Sequence, residues 1–154
     1  MILPKFTVDD IIKNALKEDI NYIDVATDLT LSDQNIQKGV FLAKASGVLC
    51  GIDVALRVFE LLYDGFEYSV YKKDGDAVEK GDIIAEVKGP VTFLLKGERT
   101  ALNLLQHMSG IATETAKCVG LVSGTNASIA DTRKTLPGLR ALQKYAVVCG
   151  GGKN

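Results

Sequence analysis

Apolar and polar positions in the first third of the chain change from a helical to an alternating spacing. Residues 8–17 place apolar side chains three or four positions apart, which predicts a helix capped by Thr7. The connection that follows is polar and contains three candidates for positioning a ligand, Thr27, Asp28 and Thr30. Loop polarity explains these three equally well. Residues 39–50 then alternate imperfectly, which predicts a strand with a bulge or turn at Gly47.

The middle of the chain predicts a helix, a strand and a set of short paired strands. The broad apolar side of 52–63 is typical of a buried helix, and 66–71 alternates as a strand does. Between 73 and 91, short apolar pairs separated by glycine turns predict small antiparallel strands. This rhythm resembles the sandwich of biotinyl and lipoyl carrier domains, whose modified lysine lies at a hairpin tip. Lys88 is the nearest candidate, but Gly89-Pro90 follows it instead of the usual Met or Ala, so we interpret the segment as structural.

The last third of the chain is predominantly helical in its spacing. From Lys96 the apolar period is helical, and Gly110 is expected to separate two helices. Residues 127–130 predict a short buried strand, and Pro137 predicts the start of a helix that ends at the glycines 150–152. A strand, a loop and a helix in this order are typical of the opening unit of a parallel α/β fold.

The amino-acid composition disfavours several classes of protein. The 154 residues are 47% hydrophobic and 24% charged, which is enough for a core and excludes general disorder. A net charge of −1 and the lack of tryptophan disfavour a nucleic-acid binder. Neither a basic–apolar leader nor a bilayer-length apolar stretch is present, which predicts a cytoplasmic protein without membrane contact.

The cysteines predict packing and no metal site. Cys50, Cys118 and Cys149 lie far apart and form no CxxC motif, which disfavours both a disulfide framework and a zinc site. Their apolar neighbours predict buried thiols that behave as small hydrophobes. His107 is the single histidine and is expected to be structural.

The strongest candidate chemistry lies in the predicted loop after residue 130. Residues 126–154 carry five Lys/Arg and one Asp/Glu, so this end of an acidic chain is locally cationic. Arg133 offers a planar fork for carboxylate or phosphate, Lys134 adds a compact charge, and Thr132 adds a hydroxyl. An exposed polar turn is the alternative; the strand-end position favours a binding loop. Arg99, expected in the first turn of its helix where the dipole disfavours a cation, is the second candidate. A salt bridge to Glu98 or another acid explains Arg99 equally well.

Several linked blocks resemble one enzyme family. The blocks are Glu98-Arg99-Thr100-Ala101-Leu102-Asn103, Gln106-His107-Met108-Ser109-Gly110-Ile111-Ala112-Thr113, Asp131-Thr132-Arg133-Lys134-Thr135 with Pro137-Gly138-Leu139-Arg140, and Lys144-Tyr145-Ala146 with Gly150-Gly151-Gly152. Their order and intervals are similar to those of quinolinate phosphoribosyltransferases, over essentially the whole chain. ModD-type proteins share much of this pattern and are the closest alternative.

The resemblance implies a fold and a reaction. The fold is an α+β sandwich domain at 1–111, followed at 112–154 by the start of an incomplete α/β (TIM-like) barrel. The reaction joins quinolinate and phosphoribosyl pyrophosphate to give nicotinate mononucleotide, CO2 and pyrophosphate, with Mg²⁺, in de novo NAD synthesis. Family members continue after the triple glycine with Asn-His-Arg and most of the barrel. We therefore expect the Mg²⁺ ligands to lie outside these 154 residues, and the chain alone to be inactive.

The resemblance also assigns roles to individual residues. Thr132, Arg133 and Lys134 match the loop that binds the quinolinate carboxylates. Arg99 matches an arginine that reaches the neighbouring subunit's site, which implies a homodimer or an assembly of dimers. No catalytic residue is identified. Apart from the ModD-type proteins, the alternative functions are a non-catalytic carrier or an interaction module built on residues 75–91.

Overall fold

The computed structural model describes residues 2–20 and 35–154. The helices are α1 (Lys5–Asp19), α2 (Ile52–Leu62), α3 (Val91–Leu121) and α4 (Arg140–Cys149). The strands are β1 (Ile36–Leu42), β2 (Gly47–Val48), β3 (Glu67–Val70), β4 (Ala77–Val78) and β5 (Ile83–Pro90). The candidate residues Thr27, Asp28 and Thr30 lie outside the described residues.

A three-stranded antiparallel sheet supports two helices in the N-terminal part. Its order is β1-β5-β3, and β2 and β4 form a separate antiparallel pair. The antiparallel strands expected between 73 and 91 are present as β4 and β5, but they do not fold back on each other: β4 pairs with β2, and β5 pairs with β1 and β3. The α2 prediction is confirmed, because this helix has six buried residues against the sheet and α3: Ile52, Val54, Ala55, Leu56, Val58 and Phe59. The rings of Phe59 and Phe41 meet edge to face, with centroids 6.1 Å apart, and connect α2 to β1.

The first helix begins earlier than predicted. It starts at Lys5, and the Thr7 backbone N–H donates to the Pro4 carbonyl at 3.1 Å, so Thr7 lies inside the first turn and is not the cap. A proline before the first turn starts the helix without a capping side chain. Arg57 on α2 donates two hydrogen bonds of 2.8 Å to Asp9 on α1, and these bonds lower the pKa of Asp9. This pair fixes α1 against α2.

Helix α3 is a single 31-residue helix and starts directly after β5. The break expected at Gly110 is wrong: a Cβ there would meet no atom within 4 Å, and the helix continues through it. A helical glycine costs only about 1 kcal/mol, which burial of Met108 and Ala112 on either side outweighs. Because α3 begins at Val91, Arg99 lies in its third turn. The helix-dipole argument for Arg99 is therefore wrong.

The structure also differs from two of the strand predictions. The strand expected at 39–50 is two strands, β1 and β2, joined by a four-residue bend. Residues 127–130 are not a buried strand: they are largely exposed, and their one described pairing is a parallel bridge between Ala130 and Lys153. A strand of a parallel sheet is buried only when strands flank it and helices cover it. Helix α4 begins at Arg140, three residues after Pro137, and ends at the glycines as predicted.

The structure contradicts the carrier alternative and part of the cysteine prediction. Lys88 lies within β5, where its Nζ is 3.2 Å from Glu67 Oε2, and not at a hairpin tip. Cys50 is buried as expected, whereas Cys149 is half-buried and Cys118 is exposed on α3. Among the described residues, no helix is long and apolar enough to cross a membrane.

Candidate functional site

The cationic loop begins at a short parallel pairing. The Lys153 N–H donates to the Ile129 carbonyl, and the Asp131 N–H donates to the Lys153 carbonyl, both at 2.8 Å. The chain then turns away, and the Thr132 hydroxyl oxygen accepts the backbone N–H of Lys134 at 3.1 Å. Such a local hydroxyl–backbone bond shapes the loop without regular secondary structure. Residues 132–134 therefore start from a fixed backbone position.

A buried carboxylate lies at the base of this loop. The Asp131 side chain is 8% exposed, and its Oδ1 is 2.9 Å from Lys144 Nζ on α4. Its Oδ2 is buried and has no hydrogen-bond partner among the described residues. A buried carboxylate is costly without a cation beside it, so Lys144 holds the start of the loop against α4. No local pattern marks Lys144 as the partner of Asp131, because the pairing depends on tertiary packing.

The far side of the loop is anchored to α3 and α4 through His107. Gln143 Oε1 accepts the Leu136 N–H at 3.0 Å, which directs the Gln143 amide nitrogen toward His107 Nε2 at 2.9 Å. An amide NH2 only donates, so His107 Nε2 accepts this hydrogen bond. His107 thus links α3 to the residue that holds Leu136, and its structural role stays a prediction. Arg140 adds a 3.2 Å hydrogen bond from Nε to the Thr135 hydroxyl.

Thr132 and Lys134 line a cavity of about 310 Å³ that Asp131 and Lys144 also line. Arg133 is exposed and lies outside the lining of that cavity. Within residues 2–20 and 35–154, neither Arg133 nor Lys134 has a carboxylate partner. Their charges therefore remain available to an anion, and a guanidinium fork beside an ammonium suits a dicarboxylate.

Arg99 is remote from this cavity within one chain. Its side chain is 74% exposed, and its Nη1 is 2.9 Å from Asp19 Oδ1 at the end of α1. The cavity contacts α3 at Ile111 and Thr115, twelve and sixteen residues further along the helix. At the rise of an α-helix these positions are about 18–24 Å from Arg99. The structure therefore brings Thr132 and Lys134 together and leaves Arg99 on another surface.

The loop does not provide a magnesium site. Mg²⁺ prefers carboxylate and other oxygen ligands. Around the described cavity the one carboxylate is that of Asp131, and Lys144 already engages it. These residues do not fit the ion, so the location of its ligands outside these 154 residues stays a prediction.

Helices packed on a small sheet, with a cationic loop where a short parallel pairing ends, define the chain as part of an α/β protein. Two family models match it: "Quinolinate phosphoribosyl transferase, N-terminal domain" at residues 24–109, and the corresponding C-terminal domain at 111–154. The chain belongs to the quinolinate phosphoribosyltransferase family.

Individual relatives agree with this assignment. The chain is 46% identical to a Mycobacterium leprae nicotinate-nucleotide pyrophosphorylase [carboxylating] over 148 residues, which are 94% of this chain and 52% of that protein. The probable Bacillus subtilis enzyme of that name is 43% identical, over 89% of this chain and 47% of its own length. The crystal structure of NadC from Streptococcus pyogenes superposes with a TM-score of 0.96 and 42% identity, covering all of this chain and 55% of that one.

These matches confirm the fold class, an N-terminal α+β domain followed by part of the barrel. The chain spans about half the length of the curated relatives it matches. The domain boundary between residues 111 and 112 stays a prediction, and α3 runs across it without interruption.

Proposed function

We propose that the chain forms the quinolinate-binding part of a quinolinate phosphoribosyltransferase. The whole enzyme would convert quinolinate and phosphoribosyl pyrophosphate to nicotinate mononucleotide, CO2 and pyrophosphate. The observation that carries this proposal is the pair Arg133 and Lys134, which has no described carboxylate partner in a chain of this family. The three described cysteines are free thiols, which fits the cytoplasm as its location.

The loop residues would act by binding and orienting the substrate. Lys134 and the Thr132 hydroxyl line the cavity and would hold one carboxylate, while the exposed Arg133 fork would close on the other. Two fixed carboxylates set the direction of the pyridine nitrogen, so the loop would orient the atom that attacks the ribose carbon. Cationic groups would also favour the anionic partners that gather there.

Titration of the chain with quinolinate tests the proposal. Calorimetry is expected to show tighter binding of quinolinate than of nicotinate, because nicotinate lacks the second carboxylate. Equal or absent binding of the two acids would contradict the proposal.

In a full-length protein that contains this chain, Arg133→Ala is expected to weaken quinolinate binding by roughly 1.5–3 kcal/mol, the range for a hydrogen bond to a charged group. Calorimetric titration of the variant measures the loss. Lys80→Ala is the control, because it removes an exposed charge from the turn before β5 and should leave affinity unchanged. Unchanged quinolinate affinity in Arg133→Ala would remove this residue from the site.

We also propose that Arg99 completes the quinolinate site of a second subunit in a homodimer or an assembly of dimers. Its distance from the cavity of its own chain and its 74% exposure support this arrangement. Sedimentation should show dimers, and Arg99→Ala should weaken quinolinate binding only at chain concentrations where dimers form. An equal loss of affinity in the monomer would contradict a role across the interface.

A further inference from the structure

Three potential metal ligands from distant parts of the sequence lie close together near the start of α2. The Sγ atoms of Cys50 and Cys149 and a carboxylate oxygen of Asp74 all lie within 4.8 Å of one another. Cys50 stands just before α2, Asp74 lies in the turn before β4, and Cys149 ends α4. No short motif marks this cluster, which is why the cysteine spacing disfavoured a metal site.

Hydrogen bonds to neighbouring residues fix the positions of two of these residues. Asp74 Oδ1 accepts the N–H groups of Gly51 at 2.8 Å and Ile52 at 3.0 Å, so this carboxylate also caps α2. Ser109 on α3 holds Cys50 on both sides: its hydroxyl oxygen accepts the Cys50 N–H at 3.0 Å, and the hydroxyl donates to the Cys50 carbonyl at 3.1 Å. Ligands whose positions are already set lose little freedom when they bind an ion.

We infer that Cys50, Asp74 and Cys149 form a binding site for a thiophilic divalent cation such as Zn²⁺. Zinc binds thiolate sulfur at about 2.3 Å in tetrahedral geometry, which places two such sulfurs about 3.8 Å apart. The observed separation of the two Sγ atoms, at most 4.8 Å, needs a contraction of about 1 Å or less. Asp74 also lines a cavity of about 410 Å³, so the carboxylate side of the cluster faces open space.

The donor set selects the class of cation. Two thiols each lose a proton to solvent as the ion forms two metal–sulfur bonds and one metal–oxygen bond, with no change in oxidation state. Thiolates favour zinc and cobalt over magnesium and calcium. The bound ion would join the segment before α2 to the end of α4, and so would connect the N-terminal sheet region to the helix that carries Lys144.

Cobalt titration of the reduced, chelator-treated chain tests the inference. Co²⁺ is expected to bind one ion per chain with a thiolate-to-cobalt charge-transfer band, and Zn²⁺ should displace it. Cys149→Ser should weaken Zn²⁺ binding by about 100-fold or more, since even changes outside the ligand shell cost 10–100-fold. Asp74→Asn, which keeps an oxygen to cap α2, should also weaken binding. Cys118→Ser is the control, because this exposed thiol lies outside the cluster and should leave binding unchanged.

Several results would overturn the inference. A reduced chain without the charge-transfer band would do so, as would an identical band in Cys149→Ser. Formation of a Cys50–Cys149 disulfide in air, with no cation uptake after reduction, would identify the pair as a redox pair instead. A circular dichroism spectrum for each variant separates loss of a ligand from loss of folding.

Discussion

Lys144→Met is expected to lower the free energy of unfolding by about 3–4 kcal/mol, because removing one partner of a buried ion pair leaves the other uncompensated. The Asp131 side chain is 8% exposed and its Oδ2 has no described partner, so Lys144 is the main source of compensation for its charge. Methionine keeps most of the length of the lysine stem and removes the ammonium group. Urea unfolding of the two proteins measures the difference.

A matched lysine and a double variant separate this effect from a general loss of charge. Lys117 also lies on a helix and is 2.7 Å from Glu114, but both side chains are more than 60% exposed. Lys117→Met should therefore change stability by less than about 1 kcal/mol. Asp131→Asn combined with Lys144→Met removes both charges and should be more stable than Lys144→Met alone. Equal effects of the two lysine substitutions would contradict the assigned role of Lys144.

The sequence predicts those parts of the fold that depend on local spacing. Helix α2 and the presence of strands between 73 and 91 follow from apolar periods and glycine turns, whereas the partners of these strands, β1, β2 and β3, do not. The start of α3 cannot be predicted from local spacing. The β-branched and aromatic residues at 91–93 favour an extended conformation, and packing in the folded chain makes them helical instead. Gly110 is interpreted as a break for a similar reason: local propensity disfavours it, and burial on either side determines the outcome.

Only part of the candidate site can be predicted from the sequence. Arg133 and Lys134 are adjacent and cationic after an apolar segment, so the loop is detectable from order alone. The pairing of Asp131 with Lys144 joins residues thirteen positions apart across a turn, and the Cys50–Cys149 contact joins residues ninety-nine apart. Contacts of this kind depend on how α4 packs against α3, and no periodicity encodes them.

Gly150→Ala is expected to destabilise the chain by about 3 kcal/mol through overpacking between α3 and α4. The backbone at Gly150 has φ −77°, which alanine adopts readily, so strain at this position is steric and not torsional. An added Cβ would collide with the Ala112 carbonyl oxygen and lie 2.7 Å from Thr115 Cβ. The Ala112 carbonyl is in the interior of α3 and cannot rotate away without breaking helical hydrogen bonds, so the end of α4 must move instead.

Gly110→Ala provides the control for this substitution in the partner helix. A Cβ at Gly110 meets no atom within 4 Å, and helical alanine is favoured over glycine by about 0.5–1 kcal/mol. The same chemical change should therefore stabilise the chain at one position and destabilise it at the other. Thermal or urea unfolding of both variants gives the two signs directly. Equal stability of the Gly150→Ala and Gly110→Ala proteins would contradict this role of close packing, in which α4 packed on α3 holds Lys144 and the cationic loop in place.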